Sequence, residues 1–311
     1  PLESERVRFV GDLIAIVVAE THVQARDAVE LIEIEYEELP SVVDTAKSLE
    51  PGAAQIWPEA KGNLCVHFEN KDSAEIDAII KSAPNVAKVD LINNRLIAAP
   101  MEPRVAIGDY DDNTGTMILY APSQGANRMH SNIIKVFPLE PEKIRIISKD
   151  TGGGFGVRSK AYAELLVLMW TAKQLKQPVK WQGDRFESMV SDNHSRDNVT
   201  HAELPMDADG RALGLKIETI ASVGAYLLEN GPAIPTHNGR RITGTVYKLP
   251  EVYQSVRVAF SNTTPTDSYR GAGRPEAAFI MESLMEEAAK VMDMTPIEIR
   301  NLNFIQEEDF P

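Results

Sequence analysis

Short apolar runs alternate with polar turns over the first 45 residues, and this pattern predicts strands around one helix. Residues 6–20 form an apolar run that a Gly-Asp pair interrupts, so we expect two short strands joined by a turn. Thr21 is suited to cap a helix over residues 22–31, and residues 31–36 alternate in the manner of a strand. The first part of the chain is therefore predicted to be a β-β-α-β unit.

The remaining sequence mixes strand and helix periodicities, which predicts a mixed α/β structure. Residues 46–75 are polar and proline-containing, so we expect a connecting loop there. Strands are predicted at residues 85–98, 105–109, 117–120, 143–148, 179–183, 198–204 and 212–222. Helices are predicted at residues 127–136, 160–175, 275–292 and 296–301.

Composition and charge exclude several classes of protein. With 43% hydrophobic and 25% charged residues among 311, the chain can bury a core and is not expected to be disordered. The net charge of −14 argues against a nucleic-acid partner and against docking on an anionic membrane. No apolar run reaches the ~20 residues of a membrane span. A lone cysteine, Cys65, cannot form an internal disulfide or hold an iron–sulfur cluster.

A glycine-rich segment at residues 152–156 lies between a predicted strand and a predicted helix. Glycine permits positive φ and a close approach of the backbone to a ligand, and a following helix N-terminus favours an anion. The segment lacks the GxxxxGK[ST] pattern of a P-loop and fits a dinucleotide fingerprint poorly. It is interpreted as an anion or cofactor cradle; a tight turn that binds nothing is the alternative.

A second glycine-rich segment, residues 267–276, places two arginines around two glycines. Pro275 is suited to the first turn of a helix, and arginines in such a turn recognise phosphate or carboxylate groups. The alternative is a pair of surface ion pairs, Arg274–Glu276 or Arg270–Asp267. Two glycine-rich cradles in one chain favour a large anionic cofactor.

The two segments, GGGFGVRS at residues 152–159 and SYRGAGRPE at residues 268–276, together resemble the molybdenum hydroxylases. This family comprises xanthine dehydrogenase, aldehyde oxidase and the large subunit of aerobic carbon monoxide dehydrogenase. Residues 7–20 resemble its α/β-hammerhead domain, and MEPR at residues 101–104 resembles the start of its cofactor-binding domain. The tail PIEIRNLNFI also fits, so the resemblance covers nearly the whole chain.

The resemblance implies an α+β fold in which part of one domain precedes part of another. We expect the C-terminal part of an α/β-hammerhead domain at residues 1–48 and a connecting loop at residues 49–75. The first half of the molybdopterin-binding domain is expected at residues 76–311. The chain does not begin with Met and is interpreted as an internal segment, or a split subunit, of a larger protein.

The same resemblance implies a molybdenum–pterin cofactor, with the cytosine dinucleotide form of molybdopterin as one option. The implied activity is oxidative hydroxylation of an aldehyde or an N-heteroaromatic, with water as the oxygen source. The implied partners are the rest of the molybdopterin subunit, an iron–sulfur subunit and an FAD subunit, in the cytoplasm. The catalytic glutamate of the family lies beyond residue 311. We therefore expect no catalytic residue and no direct metal ligand in this chain, and no activity from it alone.

Site residues are assigned by matching the family's motifs. The expected cofactor-binding residues are Gly153, Gly154, Phe155 and Gly156 in the first loop and Arg270 and Gly271 in the second. The expected substrate-pocket residues are Ser159 and Ala272. No match for the family's active-site glutamine is found upstream of Met101, and Gln124 is the nearest later candidate.

The substrate class follows from what three of these positions lack. Purine-oxidising members have a glutamate at the position of Ser159 and a phenylalanine at the position of Ala272, so a purine clamp is not expected. Copper-containing members have a cysteine at the position of Gly271, so a copper site is not expected either. Three alternatives remain: a carbon monoxide dehydrogenase-like large subunit of undefined substrate, a non-catalytic scaffold that contacts partner subunits, and a nucleotide-binding domain.

Overall fold

The computed structural model describes Leu2 and residues 5–310, and these residues form two compact units. The first unit contains the described residues up to Pro40 together with Ile97–Asn193. The second contains Ser41–Leu96 together with the described residues from His194 onward. Each unit has its own sheet and its own buried apolar cluster.

Helices and strands follow one another along the chain with these bounds. The helices are α1 (His22–Val29), α2 (Ala74–Ser82), α3 (Ala126–Ile133), α4 (Ala163–Leu175), α5 (Arg185–Ser191), α6 (Arg274–Val291) and α7 (Pro296–Asn303). The strands are β1 (Leu64–Glu69), β2 (Asn85–Asn93), β3 (Leu96–Ile97), β4 (Val105–Asp111), β5 (Thr116–Tyr120), β6 (Ile144–Ile147), β7 (Val179–Gln182), β8 (His194–Ser195), β9 (Asn198–Met206), β10 (Leu215–Gly224) and β11 (Val252–Phe260). Within the described residues, no helix is both long and apolar enough to cross a bilayer.

The first unit is built on a four-stranded sheet with the strand order β6-β5-β4-β7. Strands β4 and β5 form an antiparallel hairpin, and β6 pairs with β5 in parallel. Helix α4 packs closely on β4 at Gly108, which has no side chain. A Cβ at this position would lie 2.6 Å from the carbonyl carbon of Leu168. The helix buries Leu165, Leu168 and Met169 in the core of this unit. The chain leaves β6 at the glycine-rich segment, which therefore starts from a fixed sheet edge.

The second unit is built on a five-stranded sheet with the order β1-β11-β10-β9-β2. The β10–β11 pair is parallel, and the other pairs are antiparallel. Helix α6 covers one face and buries Met281, Leu284 and Met285 against it. The arginine-rich segment leads directly into α6, so its end is fixed by a helix that belongs to the core.

The predicted strands of the N-terminal region are wrong. Helix α1 is present and Thr21 caps it, accepting a hydrogen bond from the amide of Gln24 as predicted. In the described residues between 5 and 44, however, neither 6–20 nor 31–36 forms a strand. A strand needs a neighbour to complete its hydrogen-bond ladder, and these segments pair with no other described segment.

The predicted loop at residues 46–75 is also partly wrong, since β1 lies within it. Beyond residue 85 the predicted strands and helices are confirmed with shifts of a few residues at their ends. Helices α2 and α5 and strands β8 and β11 were not predicted. Helix α5 and strand β8 are short, at seven and two residues, and give weak periodicity, whereas α2 and β11, with nine residues each, were missed although they are as long as elements that were predicted.

Candidate functional site

The glycine-rich segment of the first unit adopts backbone angles that favour glycine. Gly153 and Gly156 have φ values of +110° and +109°, and Phe155 lies between them at +49°. The amides of Gly153, Gly154 and Phe155 donate to no acceptor within the described part of the chain. These amides lie on an accessible loop, with the Phe155 side chain 43% exposed. Three free N–H groups on a short loop form a cradle suited to an anionic group.

The side chains of Glu102 and Gln124 lie close to two glycines of this loop. A Cβ at Gly152 would lie 2.5 Å from the Cβ of Glu102. A Cβ at Gly154 would lie 2.5 Å from the Cδ of Gln124. Both distances are too short for carbon atoms in contact, so a side chain at either position would displace Glu102 or Gln124 from its present place.

Gln124 and Glu102 hold the loop through hydrogen bonds. The Gln124 side-chain oxygen accepts from the amides of Gly156 and Arg158, at 2.8 and 3.2 Å. The Glu102 carboxylate accepts from the amide of Gly152 at 2.8 Å. From the sequence, Gln124 is only a late candidate and Glu102 has no assigned role. The signal that was available is that Gln124 lies just before a predicted helix and Glu102 belongs to the matched MEPR motif.

A buried charged cluster lies behind these contacts. Arg104 donates from Nε to Glu164 Oε1 at 2.6 Å, is hydrogen-bonded to Asp192, and stacks on Tyr162 with its Cζ 4.0 Å from the ring centroid. Burial lowers the pKa of Arg104, but Glu164, Tyr162 and Asp192 raise it above its usual value. Burial raises the pKa of Tyr162. The guanidinium of Arg104 is therefore protonated and charged, and the hydroxyl of Tyr162 is protonated and neutral.

Arg158 connects this cluster to the residues that hold the glycine-rich loop. Arg158 donates from Nη2 to the carbonyl of Glu102 at 2.7 Å, and its Nη1 lies 3.5 Å from Asp192 Oδ2. Ser159, the expected substrate-pocket residue, donates its hydroxyl to the carbonyl of Gly156 at 2.7 Å. The hydroxyl of Ser159 is therefore used in a hydrogen bond within the loop.

The arginine-rich segment of the second unit has the same backbone character. Gly271, Ala272 and Gly273 have φ values of +95°, +40° and +94°. A Cβ at Gly271 would lie 2.5 Å from Cγ of Pro275, so this position also excludes a side chain. The Arg270 side chain is exposed. The amides of Arg270 and Gly271 donate to no acceptor among the described residues.

A buried arginine supports this loop from inside. Arg196 donates to Glu276 Oε1 at 2.9 Å and to the carbonyl of Arg270 at 2.9 Å. Glu276 also accepts from the amide of Gly273 at 3.1 Å, at the start of α6. Glu276 therefore pairs inward with Arg196, and the surface pair with Arg274 that we considered is replaced by this buried one. Arg196 was not singled out from the sequence.

The two expected cofactor segments lie one in each unit. Gly153, Gly154, Phe155, Gly156 and Ser159 lie in the first unit, and Arg270, Gly271 and Ala272 lie in the second. Among the described residues, no group of three or more His, Cys, Asp or Glu is placed to hold a metal ion. Each unit thus offers free amides on a glycine-containing loop, and the second adds an exposed guanidinium.

Comparison with known proteins defines the class as molybdopterin-binding. The profile of the molybdopterin cofactor-binding domain matches residues 56–304, and that of the aldehyde oxidase and xanthine dehydrogenase a/b hammerhead domain matches residues 1–40. The chain therefore belongs to the molybdopterin cofactor-binding domain family. The resemblance to molybdenum hydroxylases and the expected α+β fold are confirmed.

Individual relatives support the same class. The chain aligns over its whole length with the 6-hydroxypseudooxynicotine dehydrogenase complex subunit gamma of Paenarthrobacter nicotinovorans at 32% identity, and the alignment covers 38% of that subunit. It is 30% identical, over 97% of its length, to 69% of the nicotinate dehydrogenase large molybdopterin subunit of Eubacterium barkeri. The crystal structure of quinoline 2-oxidoreductase from Pseudomonas putida 86 superposes on the whole chain with a TM-score of 0.93 and 31% identity, and the match covers 39% of that chain. The chain thus spans about two fifths of the first of these relatives.

Proposed function

We propose that the chain is the molybdopterin-binding part of a molybdenum hydroxylase. The observation that carries this proposal is the glycine-rich loop, whose free amides at Gly153, Gly154 and Phe155 face no protein acceptor in the described residues. A pterin phosphate and the oxygen and sulfur ligands around the metal are anionic, and backbone amides bind such groups without a counter-ion. Membership of the cofactor-binding family supports the same assignment.

The residues fit such a cofactor in both units. Gly154 and Gly156 let the backbone approach it, and Gln124 fixes the loop by accepting from the amide of Gly156. Arg270 and Gly271 offer a guanidinium and two amides for a second anionic group. When bound, the cofactor supplies a metal that accepts two electrons during hydroxylation. The chain's own contribution is to bind and orient it.

The proposed substrate is an N-heteroaromatic ring or an aldehyde. The three relatives carry names that include nicotinate, quinoline and 6-hydroxypseudooxynicotine. Ser159 has a hydroxyl rather than a carboxylate, so it cannot bind a purine edge as a glutamate would, and this hydroxyl donates to the carbonyl of Gly156. Ala272 offers no ring to stack on a purine. We further propose the cytosine dinucleotide form of the cofactor, iron–sulfur and FAD subunits as partners, and a cytoplasmic location.

The domain limits remain part of the proposal. We place the partial hammerhead domain at residues 1–48 and the first part of the cofactor-binding domain at residues 76–311. The connection at residues 49–75 is kept as a segment between them that contains β1. The proposed cofactor-binding residues are Gly153, Gly154, Phe155, Gly156, Arg270 and Gly271, with Ser159 and Ala272 at the substrate.

The test is to purify the intact enzyme with the subunits that accompany it. Molybdenum and the fluorescent pterin released by oxidation should each approach one per chain. Dye reduction should be fastest with quinoline, nicotinate or an aromatic aldehyde in a panel that also contains xanthine and carbon monoxide. Absence of both molybdenum and pterin would refute the cofactor. Stoichiometric copper, or xanthine as the best substrate, would refute the proposed substrate class.

A further inference from the structure

Arg196 and Asp197 form an unusual turn between β8 and β9 in the second unit. Both have positive φ, at +67° and +69°, although neither is glycine. Such conformations cost energy for residues with a Cβ and persist only where the surroundings determine them. Two consecutive residues with positive φ indicate that contacts of both side chains hold the turn in this conformation.

The partners of Asp197 and Arg196 lie on different elements. Asp197 accepts from Arg95 at 2.6 and 3.0 Å, which fixes the turn to the end of β2. Arg196 is buried and extends to the arginine-rich loop, where Nη2 donates to the carbonyl of Arg270 at 2.9 Å. Its Nη1 donates to Glu276 at 2.9 Å and lies 3.4 Å from the carbonyl of Tyr269, which also accepts from the amide of Ala272 at 2.8 Å.

These contacts fix the direction of two peptide groups. In a trans peptide the carbonyl and the N–H point in opposite directions. The carbonyls of Tyr269 and Arg270 are held towards the buried guanidinium, so the N–H groups of Arg270 and Gly271 point away from it. Those are the two amides of this loop that donate to no acceptor in the described residues.

We propose that Arg196 is the positioning residue of the arginine-rich loop, an inference that rests on the proposed function. By holding two carbonyls inward, Arg196 presents the amides of Arg270 and Gly271 to an anionic group of the cofactor. Lysine cannot replace it, because a single ammonium lacks the planar fork that contacts two carbonyls and Glu276 together. Arg196 touches neither cofactor nor substrate in this assignment.

The test uses the intact enzyme with Arg196→Lys and, as a matched control, Arg300→Lys. Arg300 binds Glu282 and Glu286 in the same unit, and both partners lie on α6, but it does not touch the loop. The measurements are pterin per folded chain, the rate of pterin release from the loaded fraction, and the melting temperature. We expect Arg196→Lys to lower pterin content and to speed its release, each about tenfold, while Arg300→Lys resembles the wild type in both.

The release rate separates positioning from folding, because a smaller folded fraction does not change the rate at which loaded molecules lose pterin. A second variant, Arg196→Met with Glu276→Gln, removes both buried charges, and the side-chain amide oxygen that it introduces can still accept from the Gly273 amide. It should also lose pterin about tenfold faster. Wild-type content and release rate in either variant would overturn the proposal. So would unfolding of both variants while Arg300→Lys folds, because Arg196 would then serve the fold.

The wild-type enzyme reports separately on the proposed function. If it contains neither molybdenum nor pterin, the proposed function fails before any variant is compared. If it contains both and the Arg196 variants retain them, only the inference about Arg196 fails.

Discussion

The glycine-rich loop of the first unit and the arginine-rich loop of the second present free amides in the same way but are supported differently. The first is held by Gln124 and Glu102, and the buried cluster around Arg104 lies behind them. The second is held directly by the buried Arg196. In the second unit a buried charged group touches the loop, and we propose that it sets the direction of the loop's peptides. In the first unit the partly exposed Glu102 and the exposed Gln124 touch the loop, and the buried charged group one layer behind stabilises the unit that carries it.

The largest expected effect is on the glycine-rich loop itself. Gly154→Val should reduce molybdenum content of the intact enzyme below a tenth of the wild-type value, because its Cβ would overlap Gln124. Metal analysis of purified protein measures this. Gly115→Ala is the control, since Gly115 has a φ of +69° in the same unit with no atom nearer than 3.9 Å to its added Cβ. Normal loading of Gly154→Val would contradict the cradle.

The next effect concerns the buried cluster. Arg104→Met should lower the free energy of unfolding by about 3 kcal/mol, because Glu164 is left buried without its cation and Asp192 keeps only its 3.5 Å contact with Arg158. For a unit of this size that corresponds to a fall in melting temperature of roughly 10 °C. Calorimetry of the intact enzyme measures it.

The same variant tests the comparison between the loops. Molecules of Arg104→Met that remain folded should release pterin at the wild-type rate, unlike those of the Arg196 variants. Fast release from the folded fraction would show that the cluster around Arg104 also orients the loop, and the distinction between the two units would fail.

A smaller effect is expected at Gln124. Gln124→Ala removes the acceptor for two loop amides, and a loss of about 0.5 kcal/mol for each hydrogen bond should accelerate pterin release about fivefold. Because Gln124 is exposed, the melting temperature should change little. Gln124→Glu keeps an acceptor oxygen, so its rate of pterin release should lie between the rates of the wild type and Gln124→Ala. Equal release rates in all three proteins would mean that the loop holds its shape unaided.

The smallest effect is a pH dependence in the second unit. Burial, followed by the hydrogen bond to Glu282, raises the pKa of Tyr247 to about 12. An unfolded tyrosine has a pKa of about 10, so the folded state holds the proton more tightly and loses stability as the pH rises from about 10 to about 12. Tyr247→Phe should flatten the fall in melting temperature over that range, with Tyr120→Phe as control. An unchanged slope would contradict this.

Local sequence signals were enough to locate both loops. Gly153 and Gly156 lie where a strand meets a helix, and Thr21 caps α1 as its position before an apolar period predicts. The residues that support the loops were not predictable in this way. Arg196 and Glu276 are 80 positions apart, and nothing local in the sequence indicates their pairing.

The strand predictions failed for a related reason. The segment at residues 6–20 has the apolar pattern of a strand, yet strand pairing depends on a distant neighbour, and no described strand pairs with it in a sheet. Its pattern alone therefore could not decide its structure. The hairpin of β4 and β5 was predicted correctly because its pairing is local and its turn is marked by Asp, Asn and Gly.

The contact between Gly271 and Pro275 limits how the specificity of this loop can evolve. A cysteine at position 271, the residue that copper-containing members of the family use, would overlap the proline ring and adopt a positive φ. Pro275 would have to be replaced before Gly271, because a protein with a cysteine at position 271 and the proline still in place would have a distorted loop. We therefore expect a library of single substitutions to yield no working copper ligand at this position. In evolutionary terms we expect the two positions to be epistatic, because the effect of a cysteine at position 271 depends on the residue at position 275.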